Sequence, residues 1–167
     1  GDTIVMAGTL ALNSVSGRAV PGDLIISGGN VTFSRNNQIA DTAAVVMHDI
    51  GSTFNGTAIH SGYRSGHTET IGSFTMMGGA FNTGSVSGSN QAHWTITGDG
   101  SFTGGDGNTQ VLVHSGSYLS FGGLSLAGMT GTTPASSYRA NTFSVFGNNG
   151  GFLTTVAVGS GGLTLDG

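Results

Sequence analysis

The sequence predicts an all-β chain, a right-handed parallel β-helix or β-solenoid with irregular loops, as a single domain over residues 1–167. Three observations lead there. Glycine occupies 32 positions, and Ser, Thr, Asn and Gln together occupy 55. Apolar and small polar residues alternate with period two, as in Val31-Thr32-Phe33 and Leu163-Thr164-Leu165, which is the signature of strands. A short strand, a Gly/Asn/Asp/Ser corner and a second short strand recur along the chain.

The units follow in chain order. Ile25-Ile26-Ser27 turns at Gly28-Gly29 into Asn30-Val31-Thr32-Phe33. Val46-Met47-His48 turns through Asp49 to Ser52 into Thr53-Phe54. Phe74-Thr75-Met76-Met77 turns at Gly78-Gly79 into Ala80-Phe81. Trp94-Thr95-Ile96-Thr97 turns at Gly98-Asp99-Gly100 into Ser101-Phe102, and Leu112-Val113-His114 turns at Ser115-Gly116 into Ser117-Tyr118-Leu119. Thr142 to Phe152 is a looser copy, and Val156 to Leu165 closes the series. Corners near 29, 51, 79, 99, 116, 149 and 161 fall at gaps that suit a coil of about 20–25 residues, except late in the chain. Corners want residues that tolerate positive φ, hence Gly, Asn and Asp. The stretch Gln38 to Ala44 has mild helical character, and its β-rich flanks make it a turn or loop. The alternative on the same residues is a β-sandwich of hairpins, but the recurring corner is longer than a two-residue turn.

Composition narrows the chemistry. There is no Lys and no Cys, and the net charge is −4 with four Arg. Schiff bases, thiol nucleophiles, disulfides and zinc–thiolate sites are excluded. Nucleic acid, which needs a cationic stripe, is not an expected partner. No apolar run approaches the ~20 residues of a membrane-spanning helix.

No Gly-x-Ser-x-Gly elbow occurs, and His48 and Asp49 are sequence neighbours whose side chains oppose one another on a strand. The expectation is a non-enzyme without a cofactor. Asp99 and Asp106 lie in Gly-rich stretches that faintly resemble a calcium nonapeptide, but Thr109 stands where that motif needs Asp. They read first as turn residues. His48, His93 and His114 each lie in a recurring unit and read as separate histidines rather than a metal column. Tyr63, Arg64, His67, Tyr138 and Arg139 lie in two segments that break the coil rhythm. Loops on a rigid scaffold carry recognition, so these five are candidate contacts with a partner or a glycan.

Residues 22–79 add a family resemblance. Gly22 to Phe33, followed by Asn37-Gln38-Ile39-Ala40-Asp41-Thr42-Ala43-Ala44-Val45, then Gly51-Ser52-Thr53-Phe54-Asn55 and Thr68-Glu69-Thr70-Ile71-Gly72-Ser73-Phe74, resembles the bacterial autotransporter-associated β-strand repeat proteins. Thr57 to His67 is an insertion relative to that pattern, and beyond residue 80 only the style matches. The resemblance implies a parallel β-helix in a secreted or cell-surface bacterial protein, and it implies no catalytic residues.

Strand character begins at Thr3-Ile4-Val5-Met6 and runs to Leu163-Thr164-Leu165 without caps. Uncapped coils expose backbone and core side chains. Ile4, Val5, Met6, Leu163 and Leu165 are therefore the expected end-to-end interface. The expectation is an extracellular structural or adhesin-like solenoid, stacked on copies of itself or on adjoining coils of a longer passenger. The second reading is a glycan-binding or glycan-cleaving β-helix that uses the protruding loops at 56–68 and 127–141.

Overall fold

A computed structural model of the chain describes residues 1–48, 53–55, 67–84, 92–104, 109–114, 116–132, 141–146 and 153–166. Among them there is no helix, and fifteen strands follow one another. They are β1 (Thr3–Val5), β2 (Thr9–Leu12), β3 (Leu24–Ile26), β4 (Asn30–Phe33), β5 (Ala44–Met47), β6 (Thr53–Asn55), β7 (Thr68–Ile71) and β8 (Ser73–Met76). The rest are β9 (Ala80–Asn82), β10 (His93–Thr103), β11 (Gln110–Val113), β12 (Tyr118–Ala127), β13 (Thr130–Thr132), β14 (Thr142–Val145) and β15 (Thr155–Asp166).

Every pairing between these strands is parallel. Hairpins join antiparallel neighbours, so the sandwich alternative does not describe these residues. One sheet runs β1-β3-β5-β8-β10-β12-β15, with β7 paired to β10, and the other runs β13-β14-β11-β9-β6-β4-β2. From β1 to β12 the chain passes back and forth between the sheets, with β7 and β8 both in the first. After β2 it sets each strand except β7 beside one laid down a rung earlier. β13 and β14 then both join the second sheet, where the later β14 lies between β11 and β13.

The register defines the rung. Val5, Ile26, Met47, Met76, Phe102, Leu126 and Leu165 stand directly on one another. Successive steps are 21, 21, 29, 26, 24 and 39 residues. The 29-residue step contains the 56–66 segment, and the 39-residue step contains 133–140. This corrects the corner spacing expected from sequence. The corner at Gly28-Gly29 passes from the first sheet to the second, whereas Gly98-Asp99 and Gly161 are register shifts inside the long strands β10 and β15. The expected series therefore mixes unlike corners, and those near 51 and 149 lie outside the described residues.

Those long strands reveal a third run of backbone. Residues 68–71, 93–96, 118–121 and 155–158 stack in register before the chain bends onto the first sheet. Lower down, Val20 bridges Ile39 on the same side. The stretch 38–40 is thus part of this run, and the turn follows it at Asp41-Thr42. The bend demands glycine where backbones touch: a Cβ on Gly122 would lie 2.6 Å from the carbonyl oxygen of Thr97, and one on Gly98 2.8 Å from that of Gly72.

Between the runs lies one continuous core of stacked Leu, Ile, Val, Met and Phe. Edge-to-face contacts tie the rungs together. Phe33 meets Trp94 at 5.4 Å, Trp94 meets Phe81 at 5.0 Å, Phe81 meets Phe74 at 4.9 Å and Phe74 meets Phe102 at 5.4 Å, all with nearly perpendicular rings. Such pairs add about 0.5–1.5 kcal/mol each beyond the area they bury.

Candidate functional site

The terminal strands carry the candidate site. β15 bonds to β12 on one side and forms the edge of its sheet. Leu163 stands on Leu124 and Leu165 on Leu126, so both continue core columns. Leu124 is buried and Leu126 packs against the core, yet Leu163 is 55% exposed and Leu165 68%. Core-type side chains and one row of strand hydrogen-bonding groups therefore face outward together, the arrangement that accepts another strand.

At the opposite edge β1 bonds to β3, with Thr3 donating its N–H to the carbonyl of Asp23 at 2.8 Å. The five residues expected at the ends do not behave alike. Val5 points inward and is buried, whereas Ile4 and Met6 are largely exposed. Ile4 shares the ladder of Ile25 and Val46, the alternate positions to the buried columns. It belongs to the outer face of the sheet, so Val5, Leu163 and Leu165 mark the core columns and Ile4 does not.

His67 is found in the core, not in a contact loop. Its ring lies 4.4 Å from Phe33 and 5.2 Å from Trp94, and its Nε2 is 3.3 Å from Oε2 of Glu69. That approach satisfies the distance of an ion pair but not hydrogen-bond geometry, since neither ring nitrogen has a hydrogen-bond partner. Glu69, the chain's one glutamate, is fully buried. Its carboxylate accepts the backbone N–H groups of Gln38 at 2.8 Å and Ile39 at 3.0 Å. It thereby replaces the ladder bonds missing where the third run passes from 38–40 to β7. A buried carboxylate is tolerated there because the donors it meets would otherwise be orphaned.

Tyr63, Arg64, Tyr138, Arg139 and Asp106 lie outside the described residues. Asp99 lies at the β10 register shift, beside a shallow groove of about 300 Å³ shared with Ser101, Ser125 and Thr164. Among the described residues no group of three His, Asp or Glu side chains could hold a metal ion. His48 follows β5, His93 opens the third-run half of β10 and His114 follows β11, so the three stand on different runs. His93 stacks on Tyr118, and His114 stacks on Phe146 at 4.9 Å with nearly parallel rings. Burial holds the His114 imidazole below its usual pKa.

Comparison with family models, curated proteins and solved structures finds no match to this chain.

Proposed function

We propose that the chain is a right-handed parallel β-solenoid with a structural, adhesin-like role at a bacterial surface or outside the cell. Its end rungs continue the stack, on a second copy of the chain or on adjoining rungs of a longer one. The observation that carries this reading is the exposure of Leu163 and Leu165 at the head of columns whose previous members are buried, as Leu124 is, or half-buried against the core, as Leu126 is. Parallel pairing from rung to rung, the three runs around one core and the resemblance of residues 22–79 support it. In such a protein the work is load transmission. Hydrogen bonds run along the axis, and Ser and Thr on the outer faces keep the surface wetted.

Negative-stain electron microscopy of the purified chain at micromolar concentration, with and without calcium, tests the self-stacking form. Unbranched filaments with a ~4.8 Å axial repeat in fibre diffraction are expected. Replacing Leu163 and Leu165 together by Asp should leave single particles, because two carboxylates would be desolvated against the apolar end of the next copy. Dispersed particles from the unaltered chain would refute self-stacking.

A further inference from the structure

Arg18 and Arg35 sit a little less than one rung apart and meet at a groove that the edge-stacking reading does not use. The groove has a volume of about 370 Å³ and is lined by Ser14, Arg18, Arg35, Asn36, Asn37 and Gln38, among others. From its geometry we infer that it binds a carboxylated saccharide of the uronic acid class.

The floor is braced. Gln38 is buried, accepts the N–H of Ser14 at 2.6 Å, and donates to the carbonyls of Asn36 at 2.9 Å and Ser14 at 3.3 Å. Asn37 turns the chain with a φ of 53°, and its carbonyl accepts from Nη1 of Arg18 at 2.7 Å. The other terminal nitrogen of Arg18 pairs with Asp41. Arg18 is thus spent on shaping the wall.

Arg35 is held differently. Its Nε donates to Oδ1 of Asn13 at 3.0 Å, while Nη1 and Nη2 have no partner among the described residues. A guanidinium anchored at Nε presents its two outer N–H groups as a fixed fork, which matches a carboxylate in bidentate geometry. Asp41 offsets Arg18, and Glu69 lies on the core side, committed to the N–H groups of Gln38 and Ile39. Among the described residues the uncompensated charge facing the groove is therefore that of Arg35. Of the polar lining, Ser14 donates its hydroxyl to the carbonyl of Ser16 and Oδ1 of Asn36 accepts the N–H of Thr68, which leaves the Asn36 amide nitrogen and the Asn37 side chain to meet sugar hydroxyls. The volume falls at the lower end of the roughly 300–1,000 Å³ range of small-molecule sites.

Isothermal titration of the whole chain at low ionic strength tests this with three probes: trigalacturonate, neutral maltotriose and inorganic phosphate. Trigalacturonate should bind at least about tenfold more tightly than maltotriose, and R35Q should weaken it about tenfold. Equal binding of maltotriose, phosphate binding as tight as trigalacturonate, or an unchanged affinity in R35Q would overturn the assignment. Should R35Q fail to fold, the unaltered chain answers by nitrogen-15 NMR. Trigalacturonate should then shift the Arg35 Nε–H signal, and a stationary signal would overturn the site. Filament formation is a separate readout, so failure of either reading leaves the other standing.

Discussion

At the N-terminal end of the stack Val5 and Leu12 are buried, whereas at the C-terminal end Leu163 and Leu165 stand in the open. Both ends hold a register with the strand next to them. They differ in what lies across the core. β1 is followed at once by β2 in the other sheet, and Leu10 and Leu12 pack against the core from that side. At the far end, among the described residues, the second sheet finishes with β13, where Gly131 stands on Phe143 and brings no side chain. Hydrogen-bonded register alone does not bury a residue; a second layer opposite it does.

The sharpest way to break this comparison is to truncate two members of one column. Phe102→Ala, in the interior, should cost about 3–5 kcal/mol in urea unfolding. Leu165→Ala, in the same column at the edge, should cost under about 0.5 kcal/mol for the dispersed chain. Equal losses would show that the last rung is covered in solution.

Glu69→Gln sharpens the contrast between interior and edge from the polar side. An amide can accept at one oxygen only, so one of the two N–H groups now bonded loses its partner. A destabilisation of about 2 kcal/mol is expected, read from the shift in urea midpoint. Gly122→Ala should cost about 1–3 kcal/mol, because the obstructing atom is the Thr97 backbone carbonyl and cannot rotate away. A neutral result in thermal unfolding would mean that the bend is looser than described.

The smallest effect is one of pH. His114 has a folded pKa below its ordinary value, so the unfolded chain takes up its proton first. Its contribution is complete above the ordinary histidine pKa of about 6.5 and declines as the pH falls through that value. In His114→Gln the stability should depend less steeply on pH between about 7 and 5, by urea titration at each pH.

Much of this was legible in the sequence because alternation and corner residues report local geometry. Val31-Thr32-Phe33 reads as an in–out–in strand and forms one. The kinds of corner were not legible, since Gly serves alike between sheets and within a bent strand. His67 has the look of a loop residue beside Gly66, and only its neighbours in space, Phe33 and Trp94, draw it inward. Glu69 did leave a signal. In Thr68-Glu69-Thr70-Ile71 it shares the parity of Ile71, the inward position. The Arg18–Arg35 groove needed the rung length before the two residues could be placed on neighbouring turns. Tyr63, Arg64, Tyr138 and Arg139 remain a separate proposal about recognition.

Trp94 is the chain's single tryptophan, fully buried, with its indole N–H donated to the carbonyl of Thr83 at 3.1 Å. Its emission is therefore a gauge of the middle of the stack and is blind to both edges. If an edge rung peels away, far-ultraviolet dichroism, which registers every strand, should fall before the fluorescence reddens. The lag between the two signals would measure how far fraying runs ahead of collapse, without any added label.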